Sequence, residues 1–312
     1  MKFSVLINNY NYAPWLRECV DSVLAQTLPP HEIIVVDDGS TDGSVALLRE
    51  HYGNNPLVKI IAQKNSGQFV AVDAGIQAAD GDVLCLLDAD DRYKPDYLAS
   101  LSACYEKNPA VDLVFCRFKA FGGAMDNPVW LSPPADYDYG YTALLTYFYF
   151  RAREACWIGN ITSCVSLRAH LARILQLGEI GRAWNYKVQA DYGLLLGASL
   201  LGGRKYYLAR DLVEHRLHDN NDRGNKTNSE LSPEKPYKEM VQNRIAFDFY
   251  RRKLNISDEI FQHLKKELAI VPAPLPKHVK CYQKLAKKFV WKYGRLVTAS
   301  AWERCKRLAG LR

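Results

Sequence analysis

The sequence lacks the cysteine patterns that mark zinc sites and disulfide-rich secreted proteins. Its eight cysteines are scattered over 312 residues, form no C-x-x-C pair and mostly lie in apolar segments. Such cysteines are typical of small, reduced core residues. We therefore expect a protein of a reducing compartment, without a zinc site or a disulfide framework.

Long apolar runs are absent as well. No stretch of about 18 apolar residues occurs, so the sequence predicts no membrane-spanning helix. The apolar start at residues 1–7 is followed directly by Asn8 and Asn9, which does not fit the apolar core of a signal peptide. Both features favour a cytoplasmic location.

Glycine-rich phosphate-binding loops are also missing. There is no G-x-G-x-x-G after the first predicted strand and no G-x-x-x-x-G-K-[ST] anywhere in the chain. If the protein binds a nucleotide, another group has to neutralise the phosphates. A divalent metal ion is the natural substitute, because Mg²⁺ and similar ions bind substrate phosphates together with one or two protein carboxylates.

Excess positive charge is missing from most of the chain. Residues 1–234 hold 22 Lys and Arg against 28 Asp and Glu, net −6, whereas residues 235–312 hold 19 against 6, net +13. This distribution favours a separate basic segment that faces an anionic partner. It argues against a protein whose whole surface binds nucleic acid.

The basic segment has the pattern of an amphipathic helix from residue 277 onward, with apolar residues at helical spacing and lysines on the other faces. Two interpretations fit such a helix equally well. It lies on an anionic membrane surface such as the inner face of the plasma membrane, or it packs on the protein's own catalytic domain or on a second subunit of a homo-oligomer. We predict a division into residues 1–118, residues 119–230 and a helical C-terminal segment of residues 231–312.

Strand and helix patterns alternate strictly through the first 116 residues. Apolar runs that predict buried strands lie at residues 3–7, 32–36, 58–62, 83–87 and 111–116. This alternation is typical of an α/β fold with a doubly wound, mostly parallel sheet. Ligands of such folds bind at the carboxyl ends of the strands. Farther along, the patterns predict strands at 161–167 and 206–208, and a helix at 193–201.

One stretch stands out, VLCLLDADD at residues 83–91, in which five apolar residues run into three carboxylates. Neighbouring carboxylates repel one another unless a cation neutralises them. One interpretation is therefore a divalent metal site, with Mg²⁺ or Mn²⁺ preferred because the ligands are oxygens. The alternative is a solvated turn that caps the next helix.

Two later segments carry further candidates. Asp191 lies at the start of an apolar helix, where the helix dipole favours an acidic residue in any protein. His215 and His218 flank Arg216 beside a polar loop, an arrangement that favours contact with phosphate or metal. The pattern alone does not separate a structural from a chemical role for these residues.

In this order and spacing, the motifs resemble the family 2 glycosyltransferases of the GT-A fold, which use nucleotide sugars and mostly invert the anomeric centre. The segments that carry the resemblance are SVLINNYN (4–11), DSVLAQT (21–27), IVVDDGSTD (34–42), NSGQ (65–68) and LDADD (87–91). The resemblance is close over residues 3–118 and loose over residues 157–221.

The resemblance implies roles for individual residues. Asp38 would contact the nucleobase, and Asn8 and Tyr10 would form the wall around base and ribose. Asp90 would bind the metal, with Asp88 nearer the ribose, Asp191 as the general base, and His218 near the metal or the diphosphate. The donor-binding set is completed by Asn65, Gln68, Ala89 and Arg216. Asp91 is interpreted only as a cap of the following helix.

The predicted reaction transfers a sugar from a nucleotide diphosphate sugar, with Mn²⁺ or Mg²⁺ as cofactor. The expected acceptor is a hydroxyl of a glycan or a polyprenyl-diphosphate-linked glycan. Two alternatives are a nucleotidyltransferase of similar fold and a carbohydrate-binding protein without catalysis. The nucleotidyltransferase is disfavoured because residues 8–12 hold neither the glycine nor the basic residue that such an enzyme normally has there. The binding protein is disfavoured because acidic residues for both donor binding and base catalysis are present.

Overall fold

The computed structural model describes residues 1–122, 135–140, 161–184, 190–201 and 203–218. The predicted C-terminal segment, with its basic helix from residue 277, lies outside the described residues. Within the described ranges, no helix has the length and apolarity needed to cross a membrane.

Helices and strands alternate as predicted in the first half of the chain. The strands are β1 Phe3–Asn9, β2 Glu32–Asp37, β3 Val58–Ala62, β4 Val83–Asp88, β5 Arg92–Tyr93, β6 Leu113–Phe121, β7 Tyr137–Gly140, β8 Val165–Arg168 and β9 Lys205–Arg216. The α-helices are α1 Ala13–Leu24, α2 Ser44–Tyr52, α3 Gln68–Ala78, α4 Tyr97–Lys107, α5 Ala169–Leu175, α6 Leu177–Trp184 and α7 Ala190–Leu200.

The described strands form one mixed sheet in the order β3-β2-β1-β4-β8-β6-β9-β5, with β7 paired to β9. Strands β1 to β4 are mutually parallel where they pair. Strand β8 is antiparallel to both β4 and β6, and β9 is parallel to β6. Six strands therefore point the same way, and their carboxyl ends meet at one edge of the sheet.

The parallel strands are apolar because helices cover them. Strand β4 is buried from Val83 to Leu87, and α1 turns Leu16, Cys19, Val20 and Val23 into the same core. Apolar burial of this kind drives folding at roughly 25 cal/mol per Å². The polar residues that follow each strand stay outside this core and lie at the carboxyl edge of the sheet.

Several strand limits differ from the predicted ones, mostly in the second half. Strand β1 continues to Asn9, because Asn8 and Asn9 still pair with β2. Residues 162–164 form a 3₁₀-helix before β8 rather than the start of a strand. The last strand has twelve residues instead of the predicted three. Strand β9 can include polar residues because its partner β6 supplies a long pairing edge with bulges at Cys116 to Phe118.

Helices α6 and α7 pack against α3 at glycines, Gly181 of α6 and Gly193 of α7. A Cβ atom on Gly193 would lie 2.6 Å from the ring of Phe69, and one on Gly181 would lie 2.9 Å from the Phe69 Cβ. Phe69 is fully buried. The start of α7, which carries Asp191, is therefore fixed relative to the parallel half of the sheet.

Candidate active site

The loops after β1 and β2 form the first wall of the site and are joined by side chains. The Asn11 backbone N–H donates to Ser40 Oγ at 2.8 Å, and the Thr41 N–H donates to Asn11 Oδ1 at 2.8 Å. Asn11 has a φ of 60°, a conformation that asparagine tolerates better than most residues. These contacts hold the neighbouring Tyr10 at the surface, 46% exposed.

Asp38 holds the loop between β3 and α3. Its Oδ1 accepts hydrogen bonds from Gln63 and from the Ser66 N–H, and its Oδ2 accepts one from the Gly67 N–H at 2.7 Å. Asn65 in that loop lies against Gly39, where a Cβ would come within 2.6 Å of the Asn65 nitrogen. Asp38 and Asn65 thus lie in neighbouring loops that contact each other, and their contacts to a nucleotide remain predictions.

Gln68 lies at the start of α3 and faces α7. Its Oε1 accepts a hydrogen bond at 3.0 Å from the N–H of Ala190, the residue before Asp191. One free N–H at the beginning of α7 is thereby satisfied. The described contact of Gln68 is therefore with the helix of the predicted base, whereas its predicted donor contact stays a prediction.

The D-x-D residues lie at the end of β4. Asn8 of β1 is the register partner of Asp88, Ala89 is fully buried, and Asp90 is buried with 5% exposure. Oδ2 of Asp90 lies 2.9 Å from Nε2 of His218, so these two residues share a hydrogen bond. The structure therefore brings together Asp90 and His218, which the sequence separates by more than a hundred residues.

Asp91 is the centre of a buried polar cluster, and its interpretation as a helix cap is wrong. Its Oδ2 accepts a hydrogen bond at 2.6 Å from Ser163, and its Oδ1 lies 2.9 Å from both the Arg216 N–H and Nδ1 of His215. Helix α4 begins later, after Asp96. Asp91 therefore connects the end of β4 to the 3₁₀-helix and to β9.

Arg216 lies between the D-x-D loop and α1. Its Nε donates to the backbone oxygen of Asp90 at 3.0 Å, and its guanidinium pairs with Glu18. Glu18 also pairs with Arg92, and both guanidinium groups lie against the ring of Phe121, at 4.4 and 4.3 Å. Arg216 is thus at the site, in a network that the sequence pattern did not reveal.

The carboxylates of the site raise one another's pKa values. Burial and the charges of Asp90, Asp91 and Asp191 raise the pKa of Asp88 well above its usual range. Burial also raises the pKa of Asp90, with a contribution from Asp91, while the hydrogen bond from His218 opposes this shift. The influence of Asp191 on Asp88 shows that the two halves of the site share one electrostatic environment.

A divalent metal ion fits this set of residues. Among the described residues, no group of three or more His, Cys, Asp or Glu side chains forms a complete metal site. An ion such as Mg²⁺ needs only one or two carboxylates, because water and substrate phosphate complete its shell. Asp88 and Asp90 would supply the oxygens, with the imidazole of His218 beside Asp90, and a bound cation would compensate the burial and mutual repulsion that raise the pKa values of the two carboxylates.

The pH dependence of the free energy of unfolding tests the buried cluster around Asp91, because His215 belongs to that cluster. Burial alone would lower its pKa, but the carboxylates of Asp91, Asp90 and Asp88 outweigh this and raise the pKa from 6.5 to about 9. The stabilisation by protonated His215 is therefore complete below pH 6.5 and is lost as the pH rises through 9. At about 1.4 kcal/mol per pKa unit, the expected loss in the free energy of unfolding is roughly 3 kcal/mol.

We expect urea unfolding in a chelating buffer to show this fall between pH 6.5 and 10 in the wild-type chain. The His215→Gln variant keeps a neutral donor and should lack this part of the pH dependence. Equal slopes for both proteins would show that His215 is neutral in the folded state.

Sequence patterns gave no signal for Glu18 and Ser163 as members of the site, and they singled out Asp91 only as one of three neighbouring carboxylates. His215 was a candidate only as one of two histidines beside Arg216. The partners of these residues are distant along the chain, so local spacing could not reveal them.

The profile of Glycosyl transferase family 2 matches residues 4–165. The chain belongs to glycosyl transferase family 2. The predicted enzyme class, a glycosyltransferase, is thereby confirmed, and residues 4–165 contain the D-x-D loop and Ser163 of the buried cluster.

Curated relatives match about a third of the chain. An uncharacterized glycosyltransferase of Nostoc sp. is 44% identical over 115 residues, 36% of either protein. The chondroitin synthase of Escherichia coli is 35% identical over 119 residues, which cover 35% of this chain and 17% of that enzyme. The hyaluronan synthase of Pasteurella multocida is 40% identical over 93 residues, 30% of this chain and 10% of that enzyme. The match thus spans about a third of the Nostoc protein and less of the two synthases.

A solved structure shares the fold over most of the chain. The crystal structure of S. aureus TarS residues 1–349 in complex with UDP matches with a TM-score of 0.57 and 20% identity, over 81% of this chain and 70% of that one. This likeness confirms the predicted GT-A fold.

Proposed function

We propose that the protein is a metal-dependent, inverting glycosyltransferase that moves a sugar from a UDP-sugar to a hydroxyl group of a glycan or lipid-linked glycan during surface polysaccharide synthesis. The observation that carries the proposal is the contact between Asp90 Oδ2 and His218 Nε2 at 2.9 Å at the carboxyl edge of the sheet, with the start of the Asp191 helix held by Gln68 of α3. This arrangement supports a site in which the D-x-D acids would bind the donor and Asp191 would act as the base.

The relatives support the donor and the product class. TarS has been solved with UDP and with UDP-GlcNAc, and two of the relatives are named chondroitin synthase and hyaluronan synthase. We infer a UDP-sugar donor and a polysaccharide product from these likenesses. The basic segment 277–312 would face an anionic partner, such as a membrane surface that carries a lipid-linked acceptor.

The donor would lie along the carboxyl edge from β2 to β9. Asp38 and Asn65, with Asn8 and Tyr10, would surround the base and ribose, and Asp88 would contact the ribose. Gln68, Ala89 and Arg216 would line the path to the diphosphate. The rigidity of the joined loops after β1 and β2 supports this assignment, because a preformed site loses little entropy when the donor binds.

Asp90, Asp88 and His218 would hold Mn²⁺ or Mg²⁺, which when bound neutralises charge on the diphosphate leaving group. Asp191 would accept the proton of the acceptor hydroxyl as its oxygen forms a bond to the anomeric carbon. The bond from that carbon to the diphosphate oxygen breaks on the opposite face, and its electron pair leaves with the nucleoside diphosphate. A single displacement with one base predicts inversion.

Donor binding can be tested directly by thermal unfolding of the full chain. We expect a UDP-sugar with Mn²⁺ to raise the melting temperature more than GDP- or dTDP-sugars, and a ligand at 100 times its Kd adds about 2.7 kcal/mol of stability. Asp90→Asn should abolish the part of the shift that requires Mn²⁺. Asp80→Asn, at an exposed position, should leave it unchanged.

Release of UDP in the presence of Mn²⁺ would separate an enzyme from a binding protein. Equal shifts with all three nucleotide sugars would contradict the assignment of UDP. A Mn²⁺-dependent shift that survives Asp90→Asn would contradict the metal role of Asp90.

A further inference from the structure

One face of α1 lies on the D-x-D loop. The residues at positions 15, 18, 19 and 22 have the i, i+3, i+4, i+7 spacing of a single helix face. Cys19 donates through its Sγ to the backbone oxygen of Asp88 at 3.5 Å, and Ser22 Oγ accepts from the Tyr93 N–H at 3.1 Å. Helix α1 therefore supports the whole turn between β4 and β5.

Trp15 is the member of this face that reaches His218. The two rings stack with their centroids 4.1 Å apart and an interplanar angle of 24°, and Tyr12 meets the imidazole edge-on at 5.9 Å. The side chain of His218 is only 12% exposed. The imidazole thus lies between an aromatic surface and the carboxylate of Asp90.

His218 lies just after the end of the described pairing between β9 and β6. The described pairing of β9 with β6 ends at Arg216, and the Leu217 N–H donates to the backbone oxygen of Phe121 at 2.8 Å. The partners described for the ring of His218 are the side chains of Trp15, Tyr12 and Asp90. Stacking on Trp15 fixes the ring plane, and Asp90 fixes which nitrogen faces the site.

We propose that Trp15 is a positioning residue that holds the imidazole of His218 toward Asp90 and thereby sets the affinity of the site for a divalent cation. This inference rests on the proposed function, in which Asp90 and His218 hold the metal. Partners of metal ligands commonly change metal affinity 10- to 100-fold when they are removed. Trp15 is held firmly enough for this role because Leu16, Cys19 and Val20 anchor α1 in the core.

The proposal can be tested without measuring turnover. The full chain is titrated with Mn²⁺ at saturating UDP, and electron paramagnetic resonance measures the concentration of free Mn²⁺. We expect Trp15→Ala to weaken Mn²⁺ binding about tenfold. Trp15→Phe, which keeps an aromatic face, should restore most of the affinity. Arg17→Ala is the matched control, because Arg17 lies on the same helix with its side chain 63% exposed.

A double-mutant cycle with His218→Ala decides whether Trp15 acts through the imidazole. The proposal requires that Trp15→Ala add no further loss of Mn²⁺ affinity in the His218→Ala background. Additive losses, or a Trp15→Ala variant that binds Mn²⁺ like wild type while His218→Ala does not, would overturn the positioning role alone. If His218→Ala binds Mn²⁺ normally, the metal role of His218 in the proposed function fails and the role of Trp15 falls with it.

Discussion

Replacement of Asp191 by asparagine is expected to reduce turnover by a factor of about 10² to 10⁴, the usual contribution of general base catalysis. Asparagine has nearly the same shape but cannot accept the proton of the acceptor hydroxyl. Helix α7 should remain in place, because Gln68 and Phe69 contact it at Ala190 and Gly193. Initial rates of UDP release with acceptor present would measure the effect.

Donor binding provides the internal control for this variant. The Mn²⁺-dependent thermal shift with a UDP-sugar should stay close to that of the wild-type chain, since Asp191 acts on the acceptor. Glu179→Gln, which removes an exposed carboxylate from the neighbouring helix α6, should keep normal turnover. Retention of more than about a tenth of wild-type activity by Asp191→Asn would exclude this residue as the general base.

The largest expected effect on stability follows from Asp91→Ala. The carboxylate of Asp91 is fully buried and has three partners, Ser163, His215 and the N–H of Arg216. Its removal leaves these donors without an acceptor and leaves a buried imidazolium without its counter-ion. Loss of one partner of a buried charge pair costs about 3–5 kcal/mol, and we expect a decrease of that size in the free energy of unfolding.

Chemical denaturation at pH 7 would measure this decrease. Asp91→Asn keeps one acceptor oxygen and should lose less than Asp91→Ala. Asp80→Ala removes an exposed aspartate and should change the free energy by no more than about 0.5 kcal/mol. If Asp91→Ala were as stable as the Asp80 variant, the cluster would not be a structural requirement for the sheet edge.

The parallel half of the fold was readable because β1, β2 and β4 are short and almost entirely buried. Strands β2 and β4 appear in the sequence as unbroken apolar runs that end in acidic residues, and the structure places these ends at the same edge. Parallel connections are confined to a few topologies, so the edge could be inferred from alternation alone. The positions of Asp38, Asp88 and Asp90 followed from it.

The second half was less readable because its geometry depends on pairing between distant segments. Strand β9 carries charged residues through Glu214 and Arg216, which conceal a twelve-residue strand in the sequence. Its long pairing with β6 overrides the weak local preference of these residues for a strand. The same pairing brings His215 to Asp91, a contact that no spacing rule anticipates.

The sequence by itself determined the fold class, the family resemblance and the residues that follow each buried strand, because these depend on local apolar patterns and short motifs. The tertiary structure alone decided that Asp91 is the centre of a buried cluster and that Trp15 stacks on His218. It also decided that Gln68 contacts the helix of Asp191. Such contacts arise where sheet pairing and helix packing bring together segments far apart in the chain, and the orientation of each side chain depends on neighbours that only the folded protein supplies.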